Sequence, residues 1–204
     1  MGIYFEVRGA AYRHSEHDTP RLRAMSISYN CEDGVLLISG ANGVGKTTLL
    51  SIIAGELSPT HGSITRSAHF VDNVMCIFQS TGLFRDLTVM QNLEASRMSA
   101  DCIQAASEKY QLSSLLNHKA HTLSGGEDRR VQIARCTFSD KPLWLVDEAT
   151  AALDEQTSLQ FLDDCRQHIV GKRGGIVLVA HDRFWIDRLK NLLPVERFKE
   201  VLLR

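Results

Sequence analysis

Gly40-Ala41-Asn42-Gly43-Val44-Gly45-Lys46-Thr47 is the stretch on which the fold turns, because it satisfies the whole pattern G-x-x-x-x-G-K-[ST]. The residues before it, Val35-Leu36-Leu37-Ile38-Ser39, form a continuous apolar run of the kind a buried parallel strand needs. Those after it, Thr48 to Ala54, read as a helix ending near Gly55. Strand, glycine loop and helix in that order make a cradle for phosphate. Glycines let successive backbone N–H groups turn inward on phosphate oxygens without a Cβ in the way. The helix start near Gly45 adds the positive end of its dipole. Lys46 brings a point charge to the β- and γ-phosphates, and the Thr47 hydroxyl is suited to Mg²⁺. A nucleotide and Mg²⁺ are therefore the expected ligands, held by Gly40, Ala41, Asn42, Gly43, Val44, Gly45, Lys46, Thr47 and Thr48.

Working outward, other apolar runs repeat the strand–helix alternation. Leu143-Trp144-Leu145-Val146 and Ile176-Val177-Leu178-Val179 read as two further buried strands, each followed by a polar turn and a helical pattern. Ile3 to Val7 and Met25 to Tyr29 alternate as half-buried strands, expected to be antiparallel. From about 82 to 122 the patterns are helical, as in Met90 to Met98 and Asp101 to Tyr110, and no strand is expected. The predicted fold is α/β: a mostly parallel, doubly wound sheet with an N-terminal antiparallel part and an inserted helical subdomain.

Composition bounds the function classes. The chain has 204 residues, enough for one domain with a small insert, and 44% of them are hydrophobic. A net charge of -1 gives no electrostatic footprint for nucleic acid, so none is expected as a partner. Five cysteines (31, 76, 102, 136 and 165) form no CxxC pair and read as reduced thiols in a cytosolic compartment. Met1 to Tyr12 does not read as a secretory signal. No run of about 18 apolar residues spans a bilayer, so any membrane role is borrowed from a partner.

The phosphate loop alone leaves many nucleotide-hydrolase families open. Five later elements, in order, narrow the choice. They are Gln79 at the end of Val74 to Phe78, Leu123-Ser124-Gly125-Gly126-Glu127, Asp147-Glu148 closing a strand, Ala151-Ala152-Leu153-Asp154, and His181 after another strand. This succession resembles the ABC ATPases over nearly the whole chain, from about Ile3 to Phe184. The resemblance implies a single domain over 1–204, with a RecA-like core at about 1–81 and 123–204 and a helical subdomain at about 82–122. It implies ATP hydrolysis with Mg²⁺ on Thr47, Asp147 and Gln79, and with Glu148, His181, Lys46 and Gln79 acting on the attacking water and the γ-phosphate. Ser124, Gly125 and Gly126 resemble the signature that meets ATP held by a second copy, and Asp154 the loop that orients the two copies. Tyr12 falls where the family places an aromatic against adenine.

Two positions depart from the family pattern: Glu127 stands where Gln is usual, and Ala149 where Pro is usual. Neither residue carries the chemistry, so hydrolysis is expected to survive. The resemblance further implies a head-to-tail pair of ATPase copies at the cytoplasmic face of the cell membrane, working with transmembrane permease subunits. The compact build is similar to the ATPase subunit of the bacterial haem exporter of cytochrome c maturation, and also to those of other small exporters. A soluble member of the family acting on DNA or the ribosome is the alternative of a different class.

Overall fold

The computed structural model describes residues 3–15, 19–78, 82–150, 153–171 and 174–204. Along the chain come β1 (Tyr4–Tyr12), β2 (Leu22–Asn30), β3 (Val35–Gly40), α1 (Lys46–Ala54), β4 (His61–Arg66) and β5 (Val74–Ile77). Then follow α2 (Val89–Ala95), α3 (Ala100–Lys109), α4 (Gly125–Thr137), β6 (Leu143–Asp147) and α5 (Glu155–Arg166). The last are β7 (Gly175–Val179), α6 (Arg183–Asn191) and β8 (Phe198–Leu203). β3, β5, β6, β7 and β8 pair in parallel in the order β5-β6-β7-β3-β8, and β2-β1-β4 form a separate antiparallel sheet.

The central strands are buried on both faces, and the period of two divides each between two cores. Val35, Leu37, Trp144, Val146, Ile176 and Leu178 face the side covered by α2 to α6. Leu36, Ile38, Leu143, Leu145, Val177 and Val179 face the side holding α1 and the antiparallel sheet. α1 buries Leu49, Leu50, Ile52 and Ile53 there. It stops because Gly55, at φ 93°, returns its N–H to the carbonyls of Ser51 and Ile52.

Two strands have no counterpart in the sequence reading. His61-Gly62-Ser63-Ile64-Thr65-Arg66 is mostly polar and lies at the edge of the antiparallel sheet, where one face meets water. β8 carries Lys199 and Glu200 and forms an edge of the parallel sheet against β3. Edge strands need only one good face and one ladder, so their apolar signal is weak.

Between β5 and β6 the named elements of the described chain are helical. α2 begins with a capping box between Thr88 and Gln91, and Ser99 caps α3 through the Cys102 N–H. Polar ties hold this stretch together and fasten it to α4 and α5. Fully buried Asn92 accepts from the Phe84 N–H at 2.8 Å and donates to the Thr88 carbonyl at 2.9 Å. Arg85 pairs with Asp128 at 2.5 Å, and Arg135 donates to the Gly82 carbonyl and, at 2.6 Å, to the Ser96 hydroxyl. Tyr110 and Lys109 both donate to buried Asp164 on α5.

Candidate nucleotide-binding site

The glycine loop is closed in by elements far away in sequence. Gly45 has φ 102°, and a Cβ there would lie 2.2 Å from the Arg21 carbonyl oxygen. At Gly40, φ 147°, a Cβ would lie 2.7 Å from the Leu203 carbonyl oxygen. Glycine is thus demanded at both positions by backbone angle and by space. α1 begins without a side-chain cap, so the N–H groups of its first turn remain for an anion. Lys46 is nearly buried, and its Nζ donates to the carbonyls of Gly40 at 3.0 Å and Ala41 at 2.9 Å. The ammonium therefore sits over its own loop, while Val44 packs into the core beside α1.

An open cleft of about 790 Å³ is lined by Arg21, Asn42, Gly43, Gly45, Lys46, Thr47, Thr48, Glu148 and His181. The parallel sheet brings the last two there. β6 and β7 are register neighbours, with Asp147 opposite Val179, so the residues that follow both strands emerge together. The Glu148 N–H donates to the Val179 carbonyl at 2.8 Å, extending the ladder by one bond. Glu148 also has φ 49°, a left-handed angle that costs a non-glycine residue about 1 kcal/mol or more. Its Oε1 lies 3.1 Å from His181 Nε2, with the imidazole about half exposed to the cleft.

Asp147 is fully buried. Burial pushes its carboxyl pKa up, and the facing Thr47 hydroxyl pulls it down; Glu148 adds a further upward push, and Arg129 and Lys46 oppose it. Among the described residues neither carboxylate oxygen makes a protein hydrogen bond of ordinary geometry. A buried acid facing a hydroxyl, both with hard oxygen donors, suits Mg²⁺, which takes one or two carboxylates and completes its shell with phosphate and water. Among the described residues no cluster of three or more acidic, His or Cys side chains offers a fuller protein cage.

Other candidates lie apart from this cleft wall. Ser124 is the exposed N-cap of α4, with Gly125 and Gly126 in the first turn. The signal was the S-x-x-E spacing of Ser124 and Glu127, a capping box. A Cβ built on Gly125 meets no atom within 4 Å. Asp154 caps α5 through the Thr157 N–H at 2.8 Å and the Thr157 hydroxyl at 2.9 Å. The Tyr12 ring sits edge-on to His14, and its carbonyl accepts from the Arg21 N–H at 2.8 Å. Gln79, Ala151 and Ala152 lie outside the described residues.

Two residues of the neighbourhood escaped the sequence reading. Arg21 reaches the cleft because β1 and β2 pair, which no local pattern announces. Arg129, buried on α4, donates to the Phe78 carbonyl at 3.3 Å and bears electrostatically on Asp147 and Glu148. The loss of alternation within Asp128-Arg129-Arg130 hid which arginine turns inward.

Comparison with known proteins gives a consistent picture. The family model described as ABC transporter matches residues 23–151. The cytochrome c biogenesis ATP-binding export protein CcmA of Paracoccus denitrificans is 38% identical over 150 residues, covering 72% of this chain and 70% of that protein. The thiamine import ATP-binding protein ThiQ of Haemophilus influenzae is 36% identical, covering 76% and 79%. Among solved structures, a dimeric ATP-binding cassette in a post-hydrolysis state with ADP and Pi superposes with TM-score 0.75 at 23% identity, over 91% of this chain and 90% of that one. A bacterial Atm1-family ABC exporter with ATP bound gives TM-score 0.76 at 23% identity, and this chain spans only 36% of it. At such identities the structural likeness speaks for the fold.

Proposed function

The chain belongs to the ABC transporter family and is an ATPase of it, and from that premise we propose that two copies hydrolyse ATP head to tail, each completing the other's site. One observation carries this reading. Lys46, Thr47, Glu148 and His181 line one cleft, whereas exposed Ser124 and Gly125 lie outside its wall, with open space where a Cβ of residue 125 would be. Among the described residues no atom crowds a Cβ at 125, so a glycine there suits the close approach of another molecule. A dimeric cassette among the structural neighbours agrees with this arrangement.

In this reading the glycine loop and the first turn of α1 bind the phosphates, and Lys46 leaves its loop carbonyls for the β- and γ-phosphate oxygens. Thr47 and Asp147 would hold Mg²⁺, which would supply positive charge to offset that of the phosphates. Glu148 orients a water whose oxygen attacks the γ-phosphorus; the bond to the β–γ bridging oxygen breaks and leaves ADP and phosphate. His181, 3.1 Å from Glu148, faces the γ-phosphate and helps hold that carboxylate in place. Ser124 and the α4 N-terminus of the second copy cap the γ-phosphate. Gln79 and Asp154 carry the signal between copies and to the membrane partner, and Tyr12 flanks the adenine side.

Complementation tests the shared site. Lys46→Ala and Ser124→Arg copies are each inactive alone, and their mixture regains ATPase activity, because one of its two sites has an intact Lys46 and an intact Ser124. A mixture of folded chains that stays inactive would sink the head-to-tail reading.

Among the described residues no helix is long and apolar enough to cross a membrane. We place the chain at the cytoplasmic face of the cell membrane, bound to transmembrane permease subunits that choose the cargo. Export serving cytochrome c biogenesis, with haem as cargo, is the finer reading, supported by similarity to CcmA. Thiamine import, supported by ThiQ, is the second. The membrane proteins that co-purify with the chain separate the two.

A further inference from the structure

The contact that holds Ser124 bears on how readily the two copies can close. Glu127 Oε2 accepts from the Ser124 hydroxyl at 2.7 Å and from the Ser124 backbone N–H at 2.8 Å. One carboxylate oxygen therefore takes both hydrogen-bond donors of Ser124. In return the Ser124 hydroxyl accepts from the Glu127 N–H only at a long 3.4 Å. We propose that Glu127 is a built-in brake on closure of the composite site, a positioning residue that withholds the Ser124 hydroxyl from the partner's γ-phosphate. This rests on the head-to-tail reading above.

Two physical effects make the contact a brake. First, an ionised carboxylate only accepts, so the Ser124 O–H must point at Glu127 rather than at an incoming phosphate oxygen. A glutamine in the same place keeps the cap with its carbonyl oxygen while its amide N–H donates to the Ser124 oxygen, which frees the hydroxyl proton for phosphate. Second, an anion bonded to Ser124 would lie about 5 Å from Glu127 Oε2, well inside the ~8 Å screening length of physiological salt. The carboxylate already occupies the positive end of α4 that the phosphate would use. The Ser124 bonds, with Arg130 and His118 nearby, hold the Glu127 pKa below the usual glutamate range, so it remains charged at neutral pH.

The route out of the braked state is also visible. Arg130 lies three residues further along α4, in interaction range of both Glu127 and Asp154. Among the described residues its buried Nε has no hydrogen-bond partner. A Glu127 carboxylate that turns from Ser124 to Arg130 releases the hydroxyl and satisfies the guanidinium in one movement. Closure then needs enough ATP to drive that exchange.

The test reads ATP-driven dimerisation by analytical ultracentrifugation in a Glu148→Gln background, where hydrolysis is stalled. Adding Glu127→Gln should lower the ATP concentration for half-maximal dimer by about tenfold or more, the scale of one charge-assisted hydrogen bond. Thermal melting checks that this variant keeps its helix cap. Glu127→Leu should also tighten the dimer although it loses the cap, which a purely structural role would not allow. An unchanged or higher half-point for both variants overturns the brake. Ser124→Ala separates the two levels of the argument. If it abolishes the dimer while the Glu127 variants change nothing, only the brake falls. If Ser124→Ala leaves dimerisation untouched, the head-to-tail reading falls with it.

Discussion

Glu148 combines a strained left-handed backbone, one ladder bond to Val179 and a 3.1 Å contact with His181, so its carboxylate is aimed before any substrate arrives. Glu148→Gln keeps the shape and removes the negative charge. It should lower kcat by about 10²–10⁴-fold, the usual contribution of a positioned base, while ATP still holds the dimer together. Steady-state ATPase rates alongside sedimentation check both halves. Asp147 presents the opposite balance, because burial outweighs the facing Thr47 hydroxyl and makes its charge a cost in the nucleotide-free chain. Asp147→Asn should therefore raise the melting temperature of the nucleotide-free protein by about 2–4 °C, the size of roughly 1 kcal/mol in a chain of this length. It should also abolish Mg²⁺-dependent stabilisation by ATP. The places of Lys46, Thr47, Asp147, Glu148 and His181 in the fold were legible in the sequence because each ends or follows a strand or opens a helix at a recognisable boundary. Arg21 and Arg129 were not, since their neighbours come from other elements.

At the scale of elements, the same side chains that form motifs also start helices. Ser124 and Glu127 cap α4, and Asp154 caps α5. Asp154→Ala should cost about 1 kcal/mol in denaturant unfolding, the usual loss of an N-cap. The two bonds from Thr157 lower the Asp154 pKa below the ordinary value of about 3.9. The unfolded chain then binds the proton more tightly, so this stabilisation is complete above about pH 5. It drains away as the pH falls below about 4, through the depressed folded value. Asp154→Asn keeps a cap without a charge, and acid unfolding curves should show that part of the pH dependence flattened. Helices and central strands were readable because their apolar residues repeat with the right period. β4 and β8 were not, because an edge strand beside water can carry His61, Lys199 or Glu200 without penalty.

Across the whole molecule, the phosphate loop is enclosed by pieces from both ends of the chain: the Arg21 carbonyl stands over Gly45 and the Leu203 carbonyl over Gly40. β3 is paired on both sides, with β7 and with β8. Deleting residues 198–204 should strip one ladder from β3 and cost several kcal/mol, a large share of the roughly 5–15 kcal/mol that holds a domain folded. Fluorescent-nucleotide titration should then show ATP binding lost together with the cooperative unfolding transition. The sequence by itself determined the class of fold, the order of its motifs and the ATPase family they belong to, because phosphate cradles and strand-end acids are local patterns of a few residues. Only the tertiary structure decided that Arg21 and Leu203 close the loop and that Arg129 is buried where its charge bears on Asp147 and Glu148. It likewise decided that the Ser124 cap lies on a surface apart from the cleft, because those relations depend on which strands pair and which faces pack.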